Sequence, residues 1–68
     1  MTDFESDAYQ PRKWLTADEL AARLRLHVAT INAWAGKGIG PRRHKFGGRV
    51  RFLEADVIAW EDAQAEAS

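Results

Sequence analysis

Residues 15–36 read LTADELAARLRLHVATINAWAG, and this stretch decides the fold. Leu15-Thr16-Ala17-Asp18-Glu19-Leu20 carries the full signature of a helix start. Thr16 serves as N-cap, Glu19 closes a capping box, and Leu15 faces Leu20 as a hydrophobic staple. Asp18 and Glu19 also sit where the positive end of the helix dipole favours acids. Leu20, Ala21 and Leu24 then share one face, which predicts a short helix running to about Arg25. A second helix starts near His27 or Val28, with Ile31 and Trp34 on one face and Leu26 in the connection. It ends within Gly36-Lys37-Gly38-Ile39-Gly40-Pro41, because glycine supplies a left-handed cap and Pro41 cannot continue a helix.

Two short helices joined by about three residues are what a helix-turn-helix requires, the second helix being braced steeply across the first. The apolar positions of that motif fall on Leu20, Leu24, Leu26, Ile31 and Trp34, with small Ala21 at the close approach of the helices. Arg25 departs from the motif, which prefers glycine there for a positive backbone φ. A non-glycine residue costs about 1 kcal/mol or forces a different turn.

Beyond this motif, Arg43-His44-Lys45-Phe46 and Arg49-Val50-Arg51-Phe52 flank Gly47-Gly48, a strong hairpin signal. Val50 and Phe52 alternate with Arg49 and Arg51, so one face packs and the other is cationic. From Glu54 to about Glu66 the chain is rich in alanine and acids, with Val57, Ile58 and Trp60 marking a third helix that frays toward the C-terminus. The expected fold is mainly α with a small β-hairpin: a winged helix-turn-helix of three helices plus a two-stranded wing. Residues 1–12 are expected to form a disordered acidic arm, residues 13–64 the domain, and residues 65–68 a frayed end.

The zero formal net charge conceals a strong segregation. All ten Lys and Arg residues lie between Arg12 and Phe52, with only Asp18 and Glu19 opposing them there, while eight acids flank the block. From Lys37 to Arg51 there are six bases and no acid. Such a basic projection suits a polyanion.

Composition excludes other classes. At 68 residues with no cysteine, stability must come from packing alone, and Trp14, Trp34 and Trp60 read as core. His27 and His44 are the only histidines, which leaves no plausible structural zinc site, and no cofactor is expected. His27 reads as an N-cap or phosphate contact. The only serines, Ser6 and Ser68, lie near the termini, and a chain this short is expected to lack a pocket of several hundred cubic ångströms, so the chain is not read as an enzyme. The acidic opening is neither a signal peptide nor a membrane segment, and the protein is read as cytoplasmic.

The stretch from Leu15 to Trp60 resembles the small winged-helix proteins of the MerR-like superfamily, the group that holds phage excisionases and AlpA-like prophage regulators. The likeness rests on the LTADELA opening, the helix-turn-helix, the GKGIGP passage, the basic KFGGRVRF wing and the Asp56 to Trp60 segment, in that order. It implies that the second helix is a recognition helix in the DNA major groove. Its outward residues would be His27, Val28, Thr30, Asn32 and Ala33, followed by Lys37, with Asn32 suited to bidentate pairing with adenine. The wing would contribute Arg42, Arg43, His44, Lys45, Gly47, Gly48, Arg49 and Arg51. Its bases would meet phosphates, and an arginine near the Gly47-Gly48 tip would enter a narrow minor groove. With roughly five or six phosphates neutralised, the log-log salt slope is expected to be about −5.

The function this resemblance implies is that of an excisionase, or recombination directionality factor: an architectural, sequence-specific DNA-binding protein that bends attachment-site DNA and directs an integrase toward excision. Cooperative self-association along DNA is expected of a lone small domain, with the acidic third helix offered to a neighbour's basic surface. Two alternatives stay open at this point, a prophage transcriptional regulator of the AlpA kind and a non-DNA protein-interaction adaptor.

Overall fold

The computed structural model describes residues 12–67. In chain order the elements are β1 (Trp14–Leu15), α1 (Ala17–Leu24), α2 (Val28–Lys37), β2 (His44–Phe46), β3 (Arg49–Leu53) and α3 (Glu54–Ala67).

The start of α1 forms as its sequence dictates. The Glu19 backbone N–H donates to Thr16 Oγ1 at 3.0 Å, and the Thr16 N–H donates to Glu19 Oε1 at 2.8 Å. At the other end the turn keeps its usual geometry despite the missing glycine. Arg25 adopts the left-handed conformation (φ 59°, ψ 43°), and its N–H reaches the Ala21 and Ala22 carbonyls. Arg25 therefore accepts the strain and leaves the turn unchanged. His27 is the N-cap of α2 through its extended backbone, but its side chain makes no capping hydrogen bond. Gly38 closes α2 at φ 67°. Gly40 then brings the chain against α2: it has φ 88°, and a Cβ there would lie 2.5 Å from Cε3 of Trp34.

One core gathers residues from five of the six elements: Leu15, Leu20, Ala21, Ile31, Phe52 and Val57, with Ala17, Leu24, Trp34 and Val50 packed around them. Leu20, Ile31, Phe52 and Val57 are fully buried. Each such side chain contributes about 2 kcal/mol of burial, and in so small a core each is hard to replace.

Winged helix-turn-helix architecture holds, with one addition. The sheet has three antiparallel strands in the order β1-β3-β2, with Trp14 opposite Leu53 and Leu15 opposite Phe52. A two-residue strand is too short to show a period in sequence and exists here only because β3 is there to pair with it. The third helix is continuous from Glu54 through Ala67, against the span from Glu54 to about Glu66 read from the sequence. Of the arm expected over residues 1–12, all but Arg12 lies outside the described residues.

Several apolar side chains are less buried than their spacing suggests. Leu26 is 42% exposed and does not complete the core. None of the three tryptophans is fully buried; each is half-exposed. The reason is geometric. The small core is filled by the aliphatic residues and Phe52, and the larger indoles are left at its edges.

Candidate nucleic-acid interface

The α2 helix presents a bare face without an acid. His27, Val28, Asn32, Ala33 and Lys37 are exposed, whereas Thr30 is half-buried on the flank of the helix. Ala29 and Gly36, not singled out from the sequence, are exposed as well, and a Cβ at Gly36 would meet nothing within 4 Å. Small residues thus surround Asn32 on the solvent side. Such a surface allows a backbone to approach closely but offers few side chains for reading bases. The first turn carries no acid, and the last carries Lys37.

The wing closes through Gly47 (φ 57°) and Gly48 (φ 82°), both in the positive-φ region that a tight two-residue hairpin turn demands. Phe46 pairs with Arg49, Lys45 with Val50, and His44 with Arg51. Directly paired residues share a face, so the outer face carries Trp14, His44, Phe46, Arg49 and Arg51. That face is aromatic as well as cationic. Trp14 lies edge-on to His44 (5.1 Å) and to Phe46 (5.0 Å).

The expected DNA-contacting bases of the wing divide into two groups. Arg42, Lys45 and Arg49 are exposed, as is Lys37 before them, and none of the four has a side-chain hydrogen bond or ion pair among the described residues. The others are occupied within the protein. Arg43 donates from Nη2 to the Ile31 carbonyl at 3.4 Å and lays its guanidinium over the Phe52 ring at 5.3 Å. It ties the base of the wing to α2 through this bond and ring contact. His44 Nε2 lies 3.2 Å from Asp56 Oδ2, tying β2 to the first turn of α3. Arg51 is half-buried and donates from Nη1 to the Val50 carbonyl at 2.8 Å.

Arg23, absent from the expected site, organises the opposite edge. Its Nε and Nη2 donate to the two carboxylate oxygens of Glu61 at 2.8 and 2.9 Å, and its Nη1 lies 3.5 Å from Glu54. Hydrogen bonding from Arg23 holds the Glu61 carboxyl below the usual carboxylate range, and the same bond raises Arg23. Glu54 also faces Lys13 at 3.7 Å. Three acids of α3 are therefore spent inside the domain, while Asp62 and Glu66 remain exposed. No sequence signal pairs Arg23 with an acid 38 positions away.

An apolar groove of about 530 Å³ runs between the end of α1, the C-terminal part of α2 and α3, lined by Leu24, Leu26, Trp34, Ile39, Gly40, Trp60 and Gln64. The expectation that so short a chain has no room for a pocket of this size is thus corrected. The space is an open surface groove between elements, walled by the indoles of Trp34 and Trp60 at 5.5 Å, and does not have to be carved out of the core. Among the described residues no three His, Cys, Asp or Glu side chains are grouped to hold a metal ion, and no helix is long and apolar enough to cross a membrane.

The family model described as "helix-turn-helix domain" matches residues 14–65. No curated protein and no solved structure matches the chain at a significant level. The match spans every element from β1 into α3, the fold carries the braced pair of helices and the wing, and domains of this kind bind DNA rather than catalyse reactions. The chain belongs to the helix-turn-helix domain family.

Proposed function

We propose that this domain is an architectural, sequence-specific DNA-binding protein of the excisionase type, bending attachment-site DNA so that an integrase carries out excision. The observation that carries the reading is the set of exposed cations that have no side-chain partner among the described residues, Lys37, Arg42, Lys45 and Arg49, beside the acid-free outer face of α2. Arg43 supports it by fixing the wing relative to the recognition helix, so that both can meet one duplex in a set geometry. Val28, Asn32 and Ala33 would face base edges, with Val28 suited to a thymine methyl and Asn32 to adenine. His27 and half-buried Thr30 lie nearer the phosphates. Four free cations predict a log-log salt slope of about −4, shallower than the full basic set would give. With so few base-reading side chains, DNA shape carries much of the specificity, which fits an architectural role. Cooperative binding of adjacent copies would offset the weakness of one small contact, and Asp62 and Glu66 are the α3 acids still free to face a neighbour's basic surface.

The test is a titration of the protein on labelled DNA fragments from around its own gene and any nearby attachment site, at several salt concentrations. A ladder of cooperative complexes with bent DNA is the expected result. A single complex at a promoter, without bending, would indicate a prophage regulator instead. No binding even at low salt would discard DNA recognition in favour of a protein adaptor.

A further inference from the structure

We propose that Phe46 is an apolar wedge, inserted by the wing between base pairs of the DNA flanking the recognition helix; this rests on the DNA-binding reading above. Phe46 is 53% exposed, more than any other large apolar side chain described. It stands at the end of β2, immediately before the Gly47-Gly48 turn, with Lys45 and Arg49 beside it and no acid anywhere from Lys37 to Arg51. An exposed phenyl ring on a hairpin that carries cations and no acid is complementary to a duplex, which offers phosphates outside and apolar base faces within.

The surroundings of the ring fix how it is presented. Trp14 meets it edge-on at 5.0 Å with the planes 83° apart, and His44 lies parallel to it at 6.5 Å. The ring is held by these two aromatic neighbours and is otherwise left about half exposed. Neither Gly47 nor Gly48 adds a side chain, and a Cβ at either would meet nothing within 4 Å, so the turn adds no bulk of its own at the tip. Its reach is set by Arg43, which anchors the base of the wing to the Ile31 carbonyl in α2. Phe46 lies three residues further along, about 10 Å at the rise of an extended strand. That reach exceeds half the major groove width of about 12 Å, so a wing anchored to a helix lying in that groove extends toward the flanking minor groove. Apolar side chains placed there part adjacent base pairs and kink the duplex. The wing would thereby supply the bend that an architectural protein needs, and the neighbouring cations would hold the phosphates on either side.

The experiment uses the full chain and its bound DNA fragment carrying 2-aminopurine at successive steps beside the α2 site. Wild-type protein should raise the fluorescence at one flanking step. Phe46→Ala should abolish that rise, reduce bending and weaken binding about tenfold, with the salt slope unchanged because no cation is lost. Phe46→Gln, whose stem still covers Trp14, should behave as Phe46→Ala does, which guards against a loss caused by misfolding. Arg49→Ala should do the reverse, lowering the slope by about 1 and keeping the fluorescence rise. If wild type binds and bends DNA without unstacking any step, or if both Phe46 variants match it, the wedge is wrong and the DNA-binding reading stands. If wild type binds no fragment, the reading beneath it fails.

Discussion

The helix pair over residues 16–38 and the wing over residues 42–53 are held in different ways. In the helix pair, the contacts that set the boundaries are between near neighbours: Thr16 with Glu19 at one end of α1, Arg25 with Ala21 and Ala22 at the other, and Gly38 with Trp34 at the end of α2. The wing depends on distant partners. Its central strand β3 pairs with β1 from the other end of the domain, Arg43 fastens it to α2, and His44 fastens it to α3. Local bonding leaves the outer face of α2 uncommitted. Distant bonding consumes part of the wing's own basic set, so that only some of its cations remain available to a polyanion.

The strongest way to break this division is at the junction. Gly40→Ala would force a Cβ into the Trp34 ring and a non-glycine residue into positive φ, and is expected to destabilise the domain by about 2–4 kcal/mol in urea or thermal unfolding. A variant as stable as wild type would show that the passage from α2 to the wing is not held at this contact. Next comes a paired measurement within the wing. Arg43→Ala should cost about 1–2 kcal/mol of stability through its lost carbonyl and Phe52 contacts, whereas Arg49→Ala should change stability by less than about 0.5 kcal/mol. Equal melting curves for the two would erase the distinction between bracing and free cations.

A smaller effect, of opposite sign, is expected in the helix pair. Arg25→Gly relieves the left-handed strain at φ 59° and should raise stability by about 0.5–1 kcal/mol in the same unfolding measurement. A loss would mean that the Arg25 side chain contributes more than its backbone costs. The smallest concerns acid. Because Glu61 is held below its ordinary range by Arg23, the pair's contribution is complete above the unfolded glutamate pKa and disappears as pH falls through the lowered folded value. Both side chains are about a third exposed, so solvent screens the effect. Glu61→Gln should flatten the acid limb of the stability profile slightly, and an unchanged limb would show the pair to be inert.

Much of the helix pair was legible because its signals are short-range. A capping box, a staple and a 3.6-residue apolar period each involve residues within one or two turns, and α1 and α2 form at the positions those signals mark. The Gly-Gly hairpin is legible for the same reason. Leu26 shows where periodicity stops being informative: its apolar character fits the motif, but the core has no vacancy for it, and it lines the groove instead. Arg43 and Arg49 show the corresponding limit for charge, since two arginines of one basic run differ only in what lies across from them in space.

By itself, then, the sequence determined where the two helices begin and end, where the hairpin turns, and that the bases are segregated from most of the acids. These features follow from backbone bonding and side-chain character over a few residues. Only the tertiary structure decided that Trp14 and Leu15 form a strand, that Arg23 joins α1 to α3, that an indole-walled groove stays open, and which cations remain free. Each of those depends on a partner far along the chain, and its energy appears only when the core has brought the two together.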